Sequence, residues 1–159
     1  MKDVAIRHAT IADTEVLVAS RVAMQRELGE LGDDNEPHVI EAVRAYLQET
    51  LPTDELVALL AEAGGEVVGT GLIVLFNKPP SSGNLAGVEG YVLNMYTPPE
   101  WRGRGIARRI VEELLEAARV AGAPIVWLRA TPAGRRVYEK VGFAEYPRYL
   151  QVKLDGEPT

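Results

Sequence analysis

Four arginines fall within eight residues of the stretch TPPEWRGRGIARRIVEELLEAARVAG (97–122), and glycines at 103 and 105 separate the first of them. A cationic cluster of this kind could contact nucleic acid, could cradle a phosphate, or could be the solvated start of an ordinary helix. The elements on either side of the cluster and the charge of the whole chain bear on that choice.

The cluster lies where a strand gives way to a helix. Pro98 and Pro99 halt the strand predicted over 86–97, and an amphipathic helix is predicted over 104–120. The first amides of a helix have no intrahelical acceptor and lie at the positive end of its dipole, so they bind phosphate readily. Gly103 and Gly105 would let an anion approach the backbone, and arginines could add charge from the flanks. The pattern favours a diphosphate site.

The overall charge argues against a nucleic-acid surface. The formal net charge is −6, and residues 1–79 hold 6 Lys and Arg against 14 Asp and Glu. Binding to nucleic acid without sequence preference needs a broad basic surface, which an acidic chain lacks. We therefore expect no nucleic-acid partner, although the acidic first half leaves room for a cationic ligand.

The order of the predicted elements indicates the fold class. Apolar runs and breakers give the order β-α-α-β-β-β-α-β-α-β, with a hairpin at Gly64–Gly65 and a terminal strand or pair in FAEYPRYLQVKL (143–154). This order predicts an α/β protein with a central mixed, mostly antiparallel sheet flanked by helices. At 159 residues, we expect a single domain over 1–159.

Two motifs in order resemble the GNAT superfamily of acyl-CoA-dependent N-acyltransferases. The signature Arg/Gln-x-x-Gly-x-Gly/Ala is matched by Arg102, Gly105 and Ala107, and YEKVGF (138–143) matches the family's second recurrent stretch. The close resemblance covers about residues 86–145. It implies acetyl-CoA as cosubstrate and the transfer of its acetyl group to a primary amine, without a covalent enzyme intermediate.

The resemblance also implies which residues hold coenzyme A. The pyrophosphate would lie on the amides of the signature loop, which comprises Arg102, Gly103, Arg104, Gly105, Ile106 and Ala107, with Arg108 adjacent. The pantetheine arm would bind the backbone of Met95, Tyr96 and Thr97. Thr131 stands where family members often carry a cofactor-binding Asn.

Acyl transfer needs a base for the amine and an acid for the leaving thiolate. Tyr138, the tyrosine of YEKVGF, is the acid that the resemblance implies. The resemblance implies a catalytic carboxylate on the strand predicted over 86–97, and Glu89, the only acidic residue there, is the base candidate. A water relay or a first-half carboxylate, such as Glu27, Glu30 or Asp33, stays open as an alternative.

Other features limit the remaining possibilities. There is no cysteine, and His8 and His38 lack partners at metal-ligand spacing, so we expect no metal. Neither a signal pattern nor a long apolar run is present, so we expect a cytoplasmic protein without a membrane partner. A homodimer is possible, and an acyl-CoA sensor without turnover is the alternative function.

Overall fold

The computed structural model describes residues 3–154. Its strands are β1 (Val4–His8), β2 (Leu56–Ala63), β3 (Glu66–Asn77), β4 (Val88–Tyr96) and β5 (Ile125–Leu128). Its helices are α1 (Thr14–Glu27), α2 (Glu36–Thr50), α3 (Ile106–Val120) and α4 (Arg135–Lys140). Short 3-10 turns at Ile11–Asp13 and Pro99–Trp101 precede α1 and follow β4.

The five strands form one sheet in the order β1-β2-β3-β4-β5. Neighbours are antiparallel from β1 to β4, and only β4 and β5 run parallel. The expected fold class, a mixed and mostly antiparallel sheet flanked by helices, is confirmed. The hairpin predicted at Gly64–Gly65 joins β2 to β3, and both glycines have the positive φ that such a turn requires.

The terminal strand predicted over 143–154 is wrong for the described residues, since this segment carries no strand. Pro147 interrupts the segment and cannot donate a ladder hydrogen bond. Its tyrosines instead contact Trp127 of β5 through their rings, with centroid separations of 5.4 Å for Tyr146 and 4.5 Å for Tyr149. β5 is therefore the edge of the sheet within the described chain.

The sheet separates two apolar clusters. Ile110, Val111 and Leu114 of α3 pack on one face, and Leu17, Val18 and Val22 of α1 pack on the other with Leu47 of α2. Alternation along each strand sends successive side chains to opposite faces. The sheet face on which each β4 side chain lies is thereby fixed.

α3 lies unusually close to β3 because two glycines of that strand face it. A Cβ atom at Gly71 would come within 2.5 Å of Ile110 Cγ2 and of Met95 Sδ, and one at Gly69 would come within 2.7 Å of Ile106 Cγ2. Larger residues would push the helix away from the sheet. The two glycines therefore hold the start of α3 close to the end of β4.

β4 contains one more residue than β3 near its end. Thr70 pairs with Tyr96 and Leu72 pairs with Leu93, so three steps along β4 match two along β3. Asn94 absorbs the extra residue with a φ of 53°, a left-handed conformation that Asn tolerates better than most residues. The parallel pairing of β4 with β5 ends just before this bulge, at Val92 and Leu128. Residues 93–96 therefore run on without a partner on the β5 side.

Candidate active site

The turn between β4 and α3 presents six successive amides without a protein acceptor. Among the described residues, the backbone N–H groups of 103–108 donate no hydrogen bond, and the first helical donor is Arg109, which bonds the Gly105 carbonyl at 3.1 Å. α3 has no acidic residue in its first turn and no side-chain cap. These amides and the helix dipole together form a site for an anion.

Gly103 and Gly105 shape this turn. Their φ angles are 76° and 77°, and a Cβ at either position would meet no heavy atom within 4 Å. The helix predicted from Arg104 begins at Ile106, because Gly105 takes the left-handed conformation at the N-cap. The space in front of the amides is therefore open, as the approach of a phosphate requires.

The four arginines are less available than the sequence suggests. Arg102 contacts Glu27 and the Thr97 carbonyl, Arg104 stacks on Trp101 with its Cζ 4.6 Å from the ring centroid, and Arg108 pairs with Glu112 at 2.8 Å. The Arg109 guanidinium donates to the Val4 carbonyl at 2.9 Å. The donors left free for an anion are mainly backbone amides, and the side chains add positive charge around them.

The end of β4 lies beside this turn. Met95 points toward α3, where its Sδ lies close to Gly71, and Tyr96 points to the other face, where its hydroxyl donates to Glu27 Oε1 at 3.2 Å. The carbonyl of Thr97 accepts the Arg102 Nε–H at 2.9 Å. The structure thus brings the predicted strand-end residues next to the predicted phosphate turn.

Three buried polar atoms near this region have no partner among the described residues. They are Asn94 Oδ1 at the bulge, Thr97 Oγ1 at the end of β4, and Gln25 Oε1 on α1. Buried polar groups are nearly always hydrogen-bonded, so such a group often marks a place where a ligand or water binds. The sequence analysis missed Asn94, although a lone Asn within the apolar run YVLNMY is a visible signal.

Carboxylates of the first half reach the open end of the sheet. Glu27, the last residue of α1, accepts from both Tyr96 and Arg102, the latter at 2.6 Å. Glu30 lies 3.8 Å from Arg129, which follows β5. The segment after α1 therefore extends over the ends of β4 and β5, where the two strands separate.

Tyr138 lies on α4, half-buried against the α3 side of the sheet. Its ring packs edge-on to Phe143 at 6.0 Å, and its hydroxyl makes no hydrogen bond among the described residues. Burial raises the pKa of Tyr138 above its ordinary value, which keeps the phenol protonated at neutral pH. Thr131 starts the turn before α4, where its Oγ1 accepts the Gly134 amide at 3.1 Å.

Glu89 lies at the opposite end of β4 from the phosphate turn. Its carboxylate is 5% exposed and accepts from Trp127 Nε1 at 2.6 Å and from Lys78 Nζ at 3.1 Å. Burial alone would raise the pKa of Glu89, but the hydrogen bonds from Trp127 and Lys78 outweigh it, and the pKa is lowered. Five residues of strand, roughly 17 Å, separate Glu89 from Asn94.

Two further searches were confined to residues 3–154. No group of three or more His, Asp or Glu side chains is arranged there to hold a metal ion. None of the helices there combines the length and the apolar character that a membrane crossing requires.

The fold, with free amides at the turn from β4 to α3, is that of an acyltransferase domain, and comparison with known proteins gives its family. Residues 24–143 match the model of the Acetyltransferase (GNAT) family, so the chain belongs to that family. The resemblance inferred from the two motifs is confirmed.

Relatives and solved structures agree with this assignment. The chain is 32% identical over 112 residues to glucosamine 6-phosphate N-acetyltransferase 1 of Oryza sativa subsp. japonica, a match that covers 69% of this chain and 66% of that enzyme. It is 30% identical over 127 residues to an IAA acetyltransferase of Azospirillum brasilense, covering 77% and 72% of the two chains. The chain thus spans about two thirds of the length of these curated relatives.

Among solved structures, a predicted acetyltransferase from Clostridium acetobutylicum, crystallised with acetyl-CoA, is 29% identical to this chain. Its TM-score is 0.87, and the superposition covers 96% of this chain and 97% of that one. The likeness extends over nearly the whole chain.

The anion site predicts a specific loss of affinity in the variant Gly105→Glu. A carboxylate in front of the free amides would repel the diphosphate of coenzyme A, and we expect the KM for acetyl-CoA to rise roughly tenfold or more. Gly122→Glu is the matched control, because Gly122 ends the same helix with a φ of 78° and equally open space. Calorimetric titration with coenzyme A checks the result, and equal affinity in the two variants would contradict this location of the site.

Proposed function

We propose that this protein is an N-acetyltransferase that transfers the acetyl group of acetyl-CoA directly to a primary amine. The observation that carries the proposal is the row of six free amides at the start of α3, residues 103–108. This row follows the point where β4 separates from β5. This arrangement suits a ligand with a diphosphate at one end and an extended arm that lies along the strand.

The residues present fit coenzyme A on this account. The amides of the turn and the charges of Arg102, Arg104 and Arg108 would hold the diphosphate, and the backbone of 95–97 would bind the pantetheine arm. Thr131 already accepts a hydrogen bond within its own turn, so any contact with the cofactor would be secondary. We propose that one domain over 1–159 carries the whole site.

The chemistry needs one proton acceptor and one proton donor. The amine attacks the thioester carbon, a C–N bond forms, the C–S bond breaks, and the amine loses a proton while the thiolate gains one. Tyr138 is the proposed donor, because its protonated phenol has no competing hydrogen bond among the described residues. A hydrogen bond to the thioester oxygen would stabilise the oxyanion that forms during attack.

The role of Tyr138 predicts a change in kcat rather than in donor affinity. In Tyr138→Phe we expect kcat to fall roughly 10²-fold because the leaving thiolate loses its acid, while the KM for acetyl-CoA changes little. Because burial raises the pKa of Tyr138, loss of its proton should lower the wild-type rate only at a pH above that at which an ordinary tyrosine titrates. Thiol release from acetyl-CoA measures both effects, with Tyr46→Phe on α2 as control. Wild-type rates in Tyr138→Phe would contradict the role.

We propose Glu27 as the carboxylate that receives the amine proton, directly or through water. Both carboxylates are paired, but Glu27 is partly exposed beside the end of β4, whereas Glu89 is buried at the other end of that strand. The contacts of Glu89 favour an anchoring role, and its assignment as the base stays a prediction.

The two carboxylates give opposite outcomes in matched variants. In Glu27→Gln we expect kcat to fall roughly 10²-fold, because no carboxylate accepts the proton. In Glu89→Gln we expect near-normal turnover but a lower melting temperature, because the buried side chain at position 89 loses its charge-assisted hydrogen bonds with Trp127 and Lys78. A stable Glu89→Gln variant without turnover would instead make Glu89 the base.

The acceptor is an amine of a small molecule, peptide or protein. The acidic first half supports a cationic acceptor, and the relatives suggest amino sugar phosphates as one group to test. A panel of amines assayed for thiol release tests the proposal, and tight binding of coenzyme A without release for any acceptor would favour a sensor. We further propose a cytoplasmic protein that can form a homodimer and that has neither nucleic acid nor membrane as partner.

A further inference from the structure

A groove lined by aromatic residues runs along the α1 side of the sheet, beyond the part that α1 and α2 cover. The apolar cluster under these helices reaches Val74 and Leu93 but not Tyr91, whose side chain is 39% exposed. Tyr91 and Trp127 are register partners across β4 and β5. Seven aromatic residues line the cavity beside β5, and two of them, Tyr138 and Phe143, belong to its part on the α3 side. We define the aromatic groove by the other five, which are Phe76, Tyr91, Trp127, Tyr146 and Tyr149.

Trp127 is held rigidly in this groove. Its indole N–H donates to Glu89 at 2.6 Å, and the other Glu89 oxygen accepts from Lys78 at 3.1 Å. The rings of Tyr146 and Tyr149 meet the indole edge-on, which is a favourable geometry for aromatic pairs. The buried Glu89 carboxylate therefore orients a ring surface, which gives this residue a positioning role.

The charges that border the groove are already neutralised. Lys78 pairs with Glu89, Arg119 with Glu116, and Arg135 with both Glu139 and Glu145. A phosphate or a second cation would find no unpaired partner among these groups. The groove instead offers ring faces and edges, which suit an uncharged aromatic group. It is one part of a cavity of about 1330 Å³ that continues around β5 to the α3 side of the sheet.

The distance from the groove to the reacting end of the sheet limits the ligand further. Tyr91 precedes the bulge at Asn94 by three residues of the same strand, which corresponds to roughly 10 Å. A ring lying against Tyr91 and Trp127 could therefore carry an amine to the point where β4 leaves β5 only through a short chain.

We propose that the aromatic groove binds the ring of the acceptor, and that the acceptors are primary amines carrying an aromatic ring on a short alkyl chain. This inference rests on the proposed acetyltransferase function and names the substrate class of that site. The ring lies between Tyr91 and Trp127, and the amine extends toward Asn94.

Thiol release from acetyl-CoA with phenethylamine and with butylamine tests this inference on the full chain. We expect phenethylamine to have the higher kcat/KM, and Tyr91→Ala to raise its KM roughly tenfold because a ring contact is lost. The KM values for butylamine and for acetyl-CoA should stay within about twofold, since neither ligand uses that contact. Tyr46→Ala is the matched control, because Tyr46 is 40% exposed on α2 and outside the groove.

The possible outcomes separate the inference from the function on which it rests. Turnover of both amines without preference for phenethylamine, or an equal rise of both KM values in Tyr91→Ala, would overturn the acceptor class and leave the acetyltransferase standing. No thiol release with any amine would overturn both. If Tyr91→Ala has a lowered melting temperature, Tyr91→Leu keeps apolar volume without the ring, and the same selective rise is expected.

Discussion

Near its end, β4 runs one residue longer than β3, and Asn94 takes up the difference in a left-handed conformation. Most of the site depends on this bulge. The bulge coincides with the end of the pairing between β4 and β5. In the described chain, the last part of β4 therefore has no neighbouring strand on that side, and its backbone groups are exposed there. A ligand that needs main-chain hydrogen bonds along an extended arm can bind there without disrupting the rest of the sheet.

The close packing of α3 connects this bulge to the phosphate turn. Gly69 and Gly71 let Ile106 and Ile110 approach β3, so the free amides at the start of α3 lie next to the strand end. The arginines that attract attention in the sequence mostly bind their own chain. Specific affinity for an anion would therefore come chiefly from the main chain, which side-chain substitution alters little.

The sequence was a good guide where information is local. Hydrophobic periodicity and turn residues predicted the order of the helices, the hairpin at Gly64–Gly65 and the start of α3 to within two residues. The phosphate site that the spacing around Gly105 predicts stays a prediction. Contacts between residues far apart in the sequence could not be predicted. Those of Glu27 with Tyr96 and Arg102, for example, depend on how α1 crosses the sheet. The bulge in β4 could not be predicted either, because it is recognised only when the registers of β3 and β4 are compared. The prediction of a terminal strand was wrong because an alternating apolar pattern does not show whether the segment pairs with the edge strand of the sheet.

The central claim is that coenzyme A binds through the amides of the turn between β4 and α3. Titration of the isotope-labelled protein with coenzyme A, followed by amide proton and nitrogen chemical shifts, tests this claim most directly. The account predicts that the largest shifts occur in residues 103–108, where no protein acceptor competes. Saturable binding that leaves these six amides unchanged while others shift would contradict it.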